Sequence, residues 1–220
     1  MTFLKRLVIA CLIASLCVLA ASCVFVPIDP DKESGRGNVI SSGEKAVDLA
    51  EYLEDYLESA ILPEIQERRV DLSTLLEVAA GGWEAAGVTH GVRKGEIGSK
   101  YNFIVNDTVT VIEVNTESRA GFIRVECEDL ITNYTISIMI GPVLRGTAIR
   151  DSLGCVDFNQ FVNQMDFAGL ANELNRIGNE NSLQNVDVES LTGKRIEFTG
   201  SFTQPDGNEI QIMPFFMEVK

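Results

Sequence analysis

The sequence predicts an α+β fold: a five-stranded antiparallel Greek-key barrel with a helix inserted between its third and fourth strands and two N-terminal helices packed on it. Three observations carry this. The apolar period changes from 3.6 to 2 at Tyr101, which marks a switch from helix to strand. After residue 100 the order of elements is three strands, a helix and two strands. The first of those strands is long and loses its alternation at Asn106-Asp107, as a strand bent for barrel closure would. Together they give the layout of an OB-fold, a partly open Greek-key barrel.

In chain order, Lys5 and Arg6 open a positive segment, residues 7–21 are almost unbroken apolar, and small residues lead to Cys23. This is the three-part plan of a secretory signal peptide over residues 1–22. The apolar run is shorter than the roughly 20 residues needed to cross a bilayer. Leu19-Ala20-Ala21-Ser22-Cys23 looks like a bacterial lipobox, which would place a diacylglycerol on Cys23 as the new N-terminus. The alternatives are an ordinary cleaved signal with Cys23 incidental, and an uncleaved N-terminal anchor. Residues 23–41, with prolines, glycines and paired serines, read as a lipidated N-terminus and tether.

Removing Lys5 and Arg6 from the 18 basic residues leaves 16 against 32 acidic ones, a net charge of −16 on the mature chain. Such a charge opposes nucleic-acid phosphates at long range and argues against a nucleic-acid partner. Cys11 and Cys17 lie in the signal, so with Cys23 lipidated only Cys127 and Cys155 remain. Export permits a disulfide between them; buried free thiols are the alternative. Neither belongs to a metal-ligand cluster, and no cofactor is expected.

Residues 42–95 read as an N-terminal helical segment and residues 96–220 as the barrel, with 42–220 as one globular unit. Ser41 and Glu44 have the spacing of a capping box. Behind them Ala46, Leu49, Leu53, Tyr56, Leu57 and Ile61 mark one helix face, and Pro63 is expected to stop or kink that helix. A second helix is expected over residues 72–80 with Asp71 as N-cap, broken by Gly81-Gly82. His90, the single histidine, reads as a loop or surface residue in a glycine-rich run. Strands are expected over 101–111, 122–128 and 132–140. A helical stripe follows from Phe158 to Ile177, interrupted near Asp166 or Gly169, and residues 175–185 read as a polar loop. Strands over 195–203 and 209–219, joined by the turn residues Pro205-Asp206-Gly207-Asn208, close the chain.

Cys23-Val24-Phe25-Val26-Pro27-Ile28-Asp29 resembles the post-lipidation start of the bacterial predicted periplasmic lipoproteins called domain of unknown function 2291. The resemblance is densest in residues 140–151, IGPVLRGTAIRD, and continues through Phe158-Asn159-Gln160-Phe161-Val162-Asn163-Gln164. It implies an OB-fold-like structure and a membrane-anchored lipoprotein of the periplasm or outer surface. It also implies an association with sugar transporters of the ATP-binding cassette type, ribose-like systems in particular.

Within the stretch that carries the resemblance, Arg145, Arg150 and Asp151 form the candidate ligand or partner site. Gly141 and Gly146 would allow close backbone approach, and Asn163 and Gln164 would add amide contacts. Guanidinium forks suit carboxylate, phosphate and clustered hydroxyls. The other reading of the same residues is structural, with Arg150 paired to a carboxylate and the glycines serving turns. No Ser/His/Asp order or metal spacing supports catalysis, so no catalytic residue is assigned. The chain therefore reads as a non-catalytic accessory or ligand-binding lipoprotein. An envelope hydrolase using carboxylates and an OB-fold oligosaccharide-binding module are the alternatives.

Overall fold

The computed structural model describes residues 49–128 and 130–220, all within one compact unit. The predicted signal, Cys23, the tether and the Ser41 capping box lie outside the described residues.

Helix α1 (Leu49–Tyr56) runs through a π-helical turn, Leu57–Ile61, into α2 (Leu62–Arg68). Pro63 therefore does not end the helix. It sits in the first turn of α2, where a missing N–H costs little, and the wider turn before it makes room for the ring. A short strand β1 (Val70–Asp71) precedes α3 (Leu72–Ala79) and α4 (Trp83–His90). His90 is thus the last residue of a helix and not a loop residue. Gly87 on α4 explains why that helix escapes the amphipathic pattern: its bare face lies on the Tyr101 ring, where a Cβ would come within 2.1 Å of a ring carbon.

The barrel strands are β2 (Asn102–Asn115), β3 (Phe122–Cys127), β4 (Thr135–Met139), β5 (Arg195–Thr203) and β6 (Glu209–Val219). Their hydrogen-bonded order is β2-β3-β4-β6-β5, and β5 pairs with β2 to close the ring. The barrel is not antiparallel throughout: β4 and β6 are parallel, with Ile136 opposite Ile210 and Ile138 opposite Ile212. A ring with an odd number of strands cannot alternate direction all the way round, so one such pair is unavoidable. β1 adds a parallel edge to β2 at Val105 and Asn106.

Strand β2 is irregular, but not where its alternation breaks. Asn106 and Asp107 keep regular register with Thr199 and Phe198, and the irregularity falls between Val111 and Glu113. Asp107 is polar for another reason: its carboxylate accepts from the Ser73 amide at 3.0 Å and so caps α3 from outside that helix. Asp71, at the N-cap position, makes no capping bond and instead accepts from the Asn106 amide.

Between β4 and β5 lie α5 (Ala148–Ser152), a 3-10 turn at Phe158–Gln160 and α6 (Gln164–Leu183). Helix α6 is uninterrupted and extends through the expected polar loop. Its polar residues Asn175 and Ser182 lie on the buried face, so the hydrophobic pattern ends before the helix does. Gly178 brings α6 against β6, where a Cβ would stand 2.4 Å from the Pro214 carbonyl oxygen.

Two apolar layers result. Phe103, Val105, Ile123, Ile138, Phe198 and Ile212 fill the barrel together with Leu72 and Leu75 of α3. The outward side chains Ile104, Met213 and Phe215 meet Leu53, Ile65 and Leu174 of the surrounding helices. Burial at this scale, ~25 cal/mol per Å² of apolar surface, is the main force holding helices to barrel.

Candidate functional site

The loop leaving β4 is fixed by its glycines. Gly141 lies against Gly121, where a Cβ would clash with the Arg119 carbonyl oxygen at 2.3 Å. Gly146 has φ +118°, a backbone region that side chains rarely enter. Helix α6 holds this loop through side-chain amides: Asn175 Nδ2 donates to the Gly146 carbonyl at 3.0 Å and Asn179 Nδ2 to that of Gly141 at 3.5 Å.

Arg150 is buried. Its Nε donates to Asp151 Oδ1 at 2.8 Å, its Nη1 to the Phe167 carbonyl at 3.0 Å, and its guanidinium lies 3.8 Å over the Phe167 ring. The other carboxylate oxygen of Asp151 accepts from Thr147 Oγ1 at 2.5 Å. Lys94 donates to the carbonyls of Arg150 and Val156 at 3.1 and 2.6 Å, and burial pulls its pKa down. Asn163 is the N-cap of α6, accepting from the amides of Met165 and Asp166. Arg150, Asp151 and Asn163 are thus occupied with one another's elements. Arg145 and Gln164 are exposed and have no hydrogen bond or ion pair among the described residues. None of the seven lines either of the two cavities described below.

Sequence reasoning missed a second polar cluster beneath α2. Glu64 accepts from the amides of Gly154 and Cys155 at 2.6 and 2.8 Å. Burial alone would raise its pKa. Hydrogen bonds from Cys155 and Gly154, with Arg68 nearby, outweigh that and hold it below the ordinary glutamate value. Burial and Glu64 push the Cys155 thiol up to about 12, and Cys127 is likewise pushed up to about 12 by burial. Both cysteines are free thiols. A carboxylate with a lowered pKa stabilises the fold above the ordinary value of ~4.3 and loses that contribution as pH falls through the folded-state value. Urea midpoints measured between pH 7 and pH 3 are therefore expected to fall less steeply for Glu64→Gln than for the unsubstituted chain; parallel slopes would contradict this.

A groove lies elsewhere on the described surface. It measures about 910 Å³ and runs between α2, the segment after α6 and the outer face of β5 and β6, with Gln66, Arg69, Asn181, Gln184, Thr199 and Phe216 among its lining. A smaller cleft of about 490 Å³ lies between Pro142–Leu144 and α6.

A closed five-stranded barrel in this order, with its helix between the third and fourth barrel strands, defines an OB-fold. The chain belongs to the family described as predicted periplasmic lipoprotein (DUF2291), whose family model matches residues 12–218, Cys23 included. It is accordingly an exported, membrane-anchored lipoprotein. A crystal structure of an OB-fold protein from Thermotoga maritima is similar over 80% of this chain and 100% of that one, with a TM-score of 0.59 and 18% identity. That likeness supports the barrel alone. No curated protein matches.

Proposed function

We propose that this lipoprotein is a non-catalytic accessory component, held at the membrane by lipid on Cys23 and working beside sugar transporters of the ATP-binding cassette type. The observation that carries the non-catalytic reading is the saturation of the segment richest in reactive side chains. Arg150, Asp151 and Thr147 bond to one another, and Asn163 caps a helix. The second cluster pairs a carboxylate of lowered pKa, a weak base, with a thiol of raised pKa, a poor nucleophile at neutral pH. The transporter association comes from the family resemblance. Arg145 and Gln164, exposed and unpaired among the described residues, are the residues of the original set available to a protein partner.

Affinity capture of the full chain from detergent-solubilised membranes tests this. Membrane subunits of a sugar transporter should be retained, and Cys23→Ala should abolish both membrane retention and that capture. A clean capture without such subunits would overturn the accessory reading.

A further inference from the structure

We propose that the groove between α2, the end of α6 and the outer face of β5–β6 is a binding site for a neutral polyhydroxylated molecule, a small saccharide. The inference goes beyond the accessory role and does not depend on it. At about 910 Å³ the groove lies within the range of small-molecule sites, roughly 300–1,000 Å³.

Its floor is built by a departure from regular pairing. Thr199 on β5 stands opposite Phe216 on β6, while the next residue, Gly200, stands opposite Pro214. Phe215 is the extra residue, so Phe215 and Phe216 both leave the barrel interior, and only Phe215 is absorbed by the outer apolar layer. Bulges of this kind re-aim side chains and recur beside binding sites. The Phe216 ring is left 46% exposed. Beside it Thr199 is only 7% exposed, and its hydroxyl has no hydrogen-bond partner among the described residues. The hydroxyl oxygen is not among the sealed, unpartnered polar atoms, so it is open to a ligand able to donate or accept.

The walls choose the ligand class. Gln66 on α2 and Asn181 and Gln184 at the end of α6 are exposed amides without partners among the described residues, and each can both donate and accept. Sugar hydroxyls have the same dual character, and the C–H face of a pyranose or furanose suits the Phe216 ring. The two carboxylates in the lining, Glu197 and Glu218, are both tied to Lys220, at 2.6 and 3.0 Å. A cationic ligand therefore meets no free anion. An anionic one would have Arg69 alone, against a chain of net charge −14.

The test is calorimetric titration of the full lipoprotein, purified in a detergent without a sugar headgroup, with xylose, glucose and maltotriose and with phosphate and gluconate as anionic controls. At least one neutral saccharide should bind more tightly than either anion. Thr199→Val and Phe216→Ala should each weaken that binding by roughly tenfold or more. Gln184→Ala, on an exposed position, should weaken it without changing the urea midpoint, which separates loss of contact from loss of fold. Absence of binding by all three saccharides, tighter binding of an anion, or saccharide binding indifferent to the three substitutions would each overturn the proposal.

Discussion

Arg150→Met is expected to lower the free energy of unfolding by about 3 kcal/mol, the scale of breaking one partner out of a buried ion pair. The cost has three parts. Asp151, with its side chain 19% exposed, loses the cation bonded to it and keeps the Thr147 hydroxyl, with the Lys94 ammonium acting on it only through space. The Phe167 carbonyl loses its side-chain donor, and the Phe167 ring loses the guanidinium stacked on it. The methylene stem of methionine restores some packing, so the loss reflects the charge and hydrogen bonds more than the volume. Urea denaturation at neutral pH reads it directly. A change below about 0.5 kcal/mol, the scale of an ordinary surface substitution, would show that Arg150 is not held as described.

Phe202→Ala is expected to cost more, about 3–5 kcal/mol, because it empties a fully buried part of the barrel's apolar interior. Phe202 is fully buried, its ring stacks on Phe103 with centroids 5.2 Å apart, and the Trp83 ring meets it edge-on at 5.9 Å. Trp83 is itself fixed by its indole N–H, which donates to the Tyr134 hydroxyl at 3.0 Å. The walls are hydrogen-bonded strands and cannot collapse into the space, so the cavity persists. Phe216→Ala supplies the contrast. It removes a ring of the same size from a half-exposed position outside the barrel, and should change the unfolding midpoint little. Equal losses for the two would contradict the placement of Phe202 inside the barrel and Phe216 outside it.

The barrel was legible because alternation survives wherever a strand has one face inside. The last two strands, Arg195–Thr203 and Glu209–Val219, fall where the residues place them, bounded by Pro205 and Gly207. The pattern failed where polar or small residues serve packing. Gly87 hides α4, and Asn175 and Ser182 make the second half of α6 look like a loop although both are buried. Asp107 breaks the alternation of β2 without bending it, since it serves as a remote cap for α3.

The candidate site was legible in a different sense. Gly141, Gly146, Arg150, Asp151 and Asn163 stand out in the sequence because each meets a strict local demand, and those demands are a close backbone approach, a positive φ, a buried ion pair and a helix cap. Strict local demands and ligand chemistry select the same residue types, so sequence could not separate them. The groove was invisible for the opposite reason. It is assembled from residues 62–69, 181–186 and 197–219, and each contribution taken singly is an ordinary surface amide or strand residue.

Arg150 and Asp151 serve each other and the junction of α5 with α6. A double-mutant cycle with Arg150→Met and Asp151→Asn, read by urea denaturation, tests that pairing most directly. The structure predicts a coupling energy of about 1.5–3 kcal/mol between the two positions. Losses that add to within about 0.5 kcal/mol would contradict it.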